Sequence, residues 1–424
     1  MSSDLGPSQA APHQTGRRWI IVAESAAASA GVPKRVRHDA ITLLRAGERV
    51  AVVASDAAKL VELLAPHVDA SQLARLQVEE VDRTRLGMTV PERIALRAAR
   101  LTKSATRYED VDYICYTRAL ARGAAAALRR IGIDAARDAL IANGSEFVHA
   151  VRLACPDRAP PVLYVIHSMI NERAASGANP YGPLSTAFLF RYERAALRAA
   201  HCVMPVADAM ARAARELEPR MRAVKVIYNS IDEPAPNDRP SAERDVDVLF
   251  VGRLSPEKGI DTLLAAAGQL PEGVRLTIVG HGVLEAQVRA AAASAPERIE
   301  FLGRRSQPEV LALWRRARVA VLPSYSDPFP FTVLEALSQG TPVVGSAVSG
   351  IPEMVTDGEN GLLVAPGDAR ALASAVTRLL TDEPLRCRLS AGAATSASRF
   401  SLDAAAPTVL AAYRESVNGW RTLP

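Results

Sequence analysis

Two segments of the chain place charged residues where they could hold a phosphorylated ligand. In Phe250-Val-Gly-Arg-Leu-Ser-Pro-Glu-Lys-Gly259 an apolar run ends at Gly252, and Arg253 and Lys258 follow in the loop before the next helical pattern. Two cations at the carboxyl end of a strand, beside a helix N-terminus, form an anion site suited to a diphosphate. Taken alone, such a pair reads more readily as two solvated loop charges. Composition shifts the balance: of 51 basic residues only Lys34, Lys59, Lys103, Lys225 and Lys258 are lysine, so a lysine at 258 points to a use for a compact ammonium. In the second segment, Leu322 to Gly340, Asp327 falls in a strand-to-helix loop and Glu335 inside the helix that follows. Phe331 and Thr332 open that helix, which leaves their N–H groups free for phosphate. A carboxylate one turn deeper can accept two hydrogen bonds from a ribose diol, although an isolated Glu335 reads more readily as a helix-surface acid.

The elements needed to position these residues are legible as alternating runs. An apolar run at 19–23, a small-residue loop at 24–33, a helical pattern from Lys34 to about Ala46 and a second run from Val50 to Ala54 read as a βαβ unit of a parallel sheet. Further strands are expected at 111–116, 138–142 and 162–167, a basic helical region at 190–225, and a closing run from Val224 to Tyr228. Residues 233–245 are rich in proline and charge and read as a linker. The alternation then restarts with strands in VDVLFVG, VRLTIVG, IEFLG, VAVLP, TPVVG and GLLV and helices from about Gly259 and at 283–295, 307–317 and 332–339, and a last helix runs from Ser401 to about Trp420. The expected division is a loose tail at 1–16, a first domain at 17–232, a linker at 233–245, a second domain at 246–400 and a trailing segment at 401–424. Open parallel sheets bind ligands at the carboxyl ends of their strands, so two such halves imply a cleft between them.

The 424 residues are 49% hydrophobic and 23% charged, an ordinary globular composition that excludes a disordered or fibrous chain. Cys115, Cys155, Cys202 and Cys387 lie far apart without metal-ligand spacing, which fits a reducing compartment. Residues 1–235 hold 32 basic and 25 acidic side chains and the remainder 19 and 21, a mild preference for anions that falls short of a nucleic-acid-binding signature. Arg17-Arg18 resembles an export signal, but the apolar run behind it is cut at Glu24, so a first strand and a cytoplasmic location are expected. Asp110-Val-Asp112 and Asp245-Val-Asp247 each precede an apolar run and read as charged strand caps on the side away from the ligand, so no metal site is expected. Arg93, Arg97, Arg100, Lys103 and Arg107 fall at helical spacing; that face is either solvated or a place of peripheral contact with an anionic membrane at its inner face.

VGRLSPEKGIDTLL, VGHGVLEAQV, FLGRRSQPEVLALW and SDPFPFTVLEALSQGTPVVGSAVSGIPEMVTDGENGLLV resemble the nucleotide-sugar half of the family 4 retaining glycosyltransferases, over about residues 245–400. The resemblance implies an α/β protein of GT-B type, with two Rossmann-like, doubly wound domains facing across a cleft and a C-terminal helix crossing back to the first. It implies that Arg253 and Lys258 grip the donor diphosphate and that Glu335 binds the ribose. The family's first glutamate falls on Asp327, one methylene shorter, facing the donor sugar. Its Phe-Gly is Phe329-Pro330 here; proline has no N–H, which leaves phosphate contact to Phe331 and Thr332. Asn229-Ser230-Ile231-Asp232 replaces Asn-Gly-Val-Asp, and Ala30 stands where a second glycine is common beside Gly31, whose loop approaches the phosphates. His167 matches a cleft histidine that contacts the donor sugar or leaving group, although a lone histidine after an apolar strand is also commonly structural.

The activity implied is transfer of a hexose from a UDP- or GDP-sugar to an acceptor hydroxyl with retention, without cofactor or metal. Arg253, Lys258 and the amides of Phe331 and Thr332 would stabilise the departing diphosphate, with the donor sugar held by His167 and Asp327. A synthase or phosphorylase using a sugar phosphate, and a silent nucleotide-sugar binder, remain alternatives. A nicotinamide oxidoreductase would need a G-x-G-x-x-G that ESAAASAGVP lacks.

Overall fold

The computed structural model describes residues 17–26, 31–81, 89–101, 105–175, 179, 181–232, 237 and 239–418. The strands are β1 (Arg18–Val22), β2 (Arg49–Ala54), β3 (Leu76–Glu80), β4 (Asp138–Ala142), β5 (Val162–Ile166) and β6 (Cys202–Pro205), then β7 (Val246–Val251), β8 (Leu276–Val279), β9 (Ile299–Gly303), β10 (Ala317–Leu322), β11 (Val343–Ser346) and β12 (Gly361–Val364). They form two six-stranded sheets with the orders β3-β2-β1-β4-β5-β6 and β12-β11-β10-β7-β8-β9. Every pairing is parallel, and counted within its own half each sheet has the strand order 3-2-1-4-5-6 of a doubly wound fold. The central strands are unbroken apolar runs because helices cover both faces: all residues of β4 and β5 are buried. The switch point of each half lies between its first and fourth strands, β1/β4 and β7/β10.

The helix Leu402–Asn418 leaves the second half and packs on the first. Ile231 N donates to Phe400 O and Leu402 N to Ile231 O, at 2.9 and 2.8 Å. Beneath, Tyr413 stacks near Trp19 (5.8 Å between rings), and Arg35 Nη2 donates to the Tyr413 hydroxyl at 3.0 Å. Arg35, Asp39 and Tyr413 are each no more than 1% exposed.

Several sequence expectations change. Residues 111–116 are not a strand but part of the 27-residue helix Ala105–Ile131; the apolar VDYICY run continues into ALARGAAAAL, and the buried side chains at 115, 119, 120, 124, 127, 128 and 131 follow helical spacing. Asp110 therefore caps no strand: its carboxylate accepts from Leu184 N at 3.0 Å, at the start of the helix Pro183–Ala199. The segment 190–225 is not one helical region, since β6 separates Pro183–Ala199 from Asp208–Leu217. Val224–Tyr228 runs beside β6 as a bridge, with Lys225 N donating to Val203 O and Ile227 N to Pro205 O. The edge strand β3, LQVEE, carried too few apolar residues to be anticipated. Asp245 and Asp247 do sit at the amino end of β7, paired with Arg316 at 2.8 Å and Arg318 at 3.0 Å.

The tail 1–16, Ala30 and most of 233–238 lie outside the described residues. Within the expected linker, Arg244 is buried and ties Ala317 O, Gly340 O and Gln339 O together at 3.0 Å each; burial lowers its pKa to about 10. The basic positions 93–107 do not share one described helix, because Val90–Leu101 ends before Ala105–Ile131 begins. Arg93 and Arg97 are exposed beside Val90 and Ile94, and the side chains of 100, 103 and 107 lie outside the described residues. No described helix is long and apolar enough to cross a membrane.

Candidate functional site

The site lies at the carboxyl ends of both sheets. After β7 the chain makes a 3-10 turn, Pro256–Lys258, closed by Gly259 in the left-handed region (φ 65°). A Cβ on Gly259 would sit 1.9 Å from Pro323 O, so only glycine lets the turn lie against the loop after β10. Tyr325 N then donates to Glu257 O at 2.9 Å, which registers the two loops. The result is an ion pair between Lys258 Nζ and Asp327 Oδ2, with the carboxylate 7% exposed. Arg253, by contrast, is 67% exposed and lies 3.8 Å from Glu257. The structure therefore joins Lys258 to Asp327 and leaves Arg253 at the rim.

Pro330 precedes the helix Phe331–Ser338, whose first amides have no intrahelical acceptor. Gly31, the first residue of the helix Gly31–Arg45, faces this end: a Cβ placed on it would be 3.7 Å from the Phe331 ring. Glu335 is no surface acid. It is 6% exposed, and its Oε1 accepts from Gln307 Nε2 at 2.9 Å and pairs with Lys34 Nζ from the opposite half.

His167 follows β5, and its Nε2 meets Asn143 Oδ1 at 2.9 Å, at the end of β4. Burial, with the charge of Arg35 nearby, lowers its pKa to about 3, so the ring is neutral at physiological pH. Asn143 Nδ2 is buried with no partner among the described residues. Beyond it, burial raises Glu146 and Glu193 to about 7. Among the described residues no three His, Cys, Asp or Glu side chains cluster to hold a metal ion.

The segment Asn229–Asp232 joins the halves. Asn229 Nδ2 donates to Phe329 O at 3.1 Å, and Ser230 Oγ meets His38 Nδ1 at 3.0 Å. Asp232 binds His38 and Arg37; although burial opposes it, these partners hold its carboxyl well below the usual range.

Sequence reasoning missed three residues that cross the cleft. Lys34 was visible as one of five lysines but had no motif around it. Glu172 accepts from Ser326 Oγ at 2.6 Å and from Ser349 Oγ, beside Asp327. Glu353 caps the helix Asp208–Leu217 through Asp208 N (2.8 Å) and Ala209 N (2.9 Å). Nothing local marks either glutamate, because each partner lies more than a hundred residues away.

Residues 232–395 match the sequence family described as Glycosyl transferases group 1. A protein of Mycolicibacterium paratuberculosis named D-inositol 3-phosphate glycosyltransferase is 32% identical over 286 residues, covering 62% of this chain and 64% of that protein, under two thirds of its length. Among solved structures, sucrose-phosphate synthase from Thermosynechococcus elongatus superposes with a TM-score of 0.70 at 21% identity, over 94% of this chain and 98% of that one. Anabaena HepE, solved in complex with UDP-glucose, superposes at 0.64 and 20% identity over 94% and 100%. These last two likenesses establish the fold. The chain thus has the two-domain α/β fold of GT-B type, and its residues 232–395 are similar to the group 1 glycosyl transferases.

Proposed function

We propose that the chain transfers a hexose from a nucleoside diphosphate sugar to an acceptor hydroxyl with retention of configuration and without a metal. The observation that carries this reading is that the loops after β7 and β10 join Lys258 to Asp327, while the helix that follows buries Glu335 and sets its first residue, Phe331, against Gly31 of the first half. Lys258 and the helix amides would take the charge that grows on the departing diphosphate, Arg253 would fold in from the rim, and Glu335 would accept the ribose diol. Neutral His167, held by Asn143, would donate to or accept from the donor sugar without adding charge. The departing phosphate would take the acceptor proton on the same face. Closure of the halves would exclude water that otherwise hydrolyses the donor.

The named relatives support a sugar donor and an acceptor hydroxyl while differing among themselves in acceptor, so acceptor identity belongs to the first half. A sugar-phosphate acceptor is the second reading, favoured by the likeness to sucrose-phosphate synthase. The test is incubation with UDP-, GDP- and ADP-hexoses, with nucleoside diphosphate release followed and the anomeric proton of the product read by NMR. Release with a retained anomer is expected. An inverted product would contradict the retaining mechanism, and no release from any donor would leave a silent binder.

A further inference from the structure

The donor carboxylate Glu335 is already occupied. Lys34 reaches it from the first turn of the helix Gly31–Arg45, and the pair is buried, with side-chain exposures of 10% and 7%. Lys34 and Gln307 share one oxygen, Oε1. The Lys34 ammonium also lies 5.4 Å from the centre of the Phe331 ring, at the N-terminus of the helix Phe331–Ser338. It thus touches the carboxylate that a ribose would claim and lies over the side chain of the residue that opens the phosphate-binding turn.

A buried ion pair adds little stability over an apolar pair of the same shape, so holding the halves together is a poor reason for one here. Breaking it while one charge stays buried is costly, so whatever takes Glu335 from Lys34 must leave the ammonium another anion. A ribose diol satisfies the carboxylate but brings no charge. The diphosphate of the same ligand does. On its flexible four-carbon stem an ammonium can turn from one partner to the other without moving its helix.

Building on the donor-site reading, we propose that Lys34 is a ligand of the donor diphosphate, stored on Glu335 while the cleft is empty and transferred to the phosphates when the ribose claims that carboxylate. The exchange ties the first half to the donor, because only a ligand that supplies both ribose and phosphate releases and re-pairs the cation. A bare nucleoside must strip Lys34 from Glu335 and gives it nothing in return.

The test is the ratio of two affinities. The full chain and Lys34→Met are titrated calorimetrically with the nucleoside diphosphate that the unmodified chain binds, and with the bare nucleoside of the same base. Lys34→Met should weaken the diphosphate about tenfold or more, the loss expected for one charge-assisted contact, while the nucleoside binds at least as well as before. An equal change in both affinities, in either direction, or no change in either, would overturn the proposal by making Lys34 a plug or a structural bridge. Should Lys34→Met bind neither ligand, Lys34→Arg decides: recovered diphosphate binding supports the exchange, and a variant that binds nucleoside alone contradicts it. If the unmodified chain binds no nucleoside diphosphate at all, the donor-site reading itself has failed, which is a separate result.

Discussion

In the second half the carboxylates of the site have cations beside them, Lys258 on Asp327 and, reaching over from the first half, Lys34 on Glu335, whereas in the first half burial shifts the titratable groups around His167 toward their uncharged forms. His167 is pushed down to about 3 and Glu146 and Glu193 up to about 7, in each case first by burial. The two sheets share one strand order, so topology does not set this difference. Side chains at the strand ends do. A site with ionic pairs ready suits an anionic diphosphate; one whose buried groups are shifted toward their uncharged forms, with Asn143 Nδ2 lacking a partner among the described residues, suits hydroxyl groups read by hydrogen bonds.

The largest expected effect lies in the first half, at a charged pair distinct from His167, Glu146 and Glu193. Arg35 pairs with Asp39 at 2.8 Å and holds Ile227 O, Tyr228 O and Tyr413, all within the core that anchors the last helix. Arg35→Met leaves Asp39 buried without its cation and should cost about 3–5 kcal/mol, read as a lower denaturation midpoint. In the second half, Lys258→Ala should reduce turnover by about 10²–10³ in a chain that still folds, read by steady-state kinetics, with melting showing the separate cost of leaving Asp327 without its cation.

The pH dependence sharpens the comparison. Folded Glu193 titrates near 7 against an ordinary 4.5, so it contributes stability that is full below pH 4.5 and lost as pH rises through 7. His167 acts oppositely, its contribution lost as pH falls below about 6.5, so the two separate above that value. The melting temperature should fall between pH 6.5 and 8, and Glu193→Gln, which still accepts from Ile170 N, should flatten that fall. The smallest effect belongs to the rim of the last helix: Arg414→Ala breaks a half-exposed pair with Glu48 and should change stability by less than about 1 kcal/mol.

The second half was more legible than the first for a physical reason. Its strands, its last helix and the positions of Lys258, Asp327 and Glu335 follow from motifs in which loop, helix start and charge lie within a few residues. Local pattern failed where context overrode it, as in the VDYICY run drawn into an alanine-rich helix and the four-residue β6 hidden among basic residues. It could not pair Lys34 with Glu335 or Glu172 with Ser326, because those contacts exist only once two halves face each other. The exposure of Arg253 was likewise invisible, since the spacing that marked it says nothing of where the side chain rests.

The central claim, that the second half is built to hold a nucleoside diphosphate, is tested most directly by calorimetric titration of the purified chain with UDP, GDP, ADP and NAD, alongside Lys258→Ala. The account predicts micromolar binding of one nucleoside diphosphate and its loss in the variant. Binding of NAD alone, or nucleoside diphosphate binding indifferent to Lys258, would contradict it.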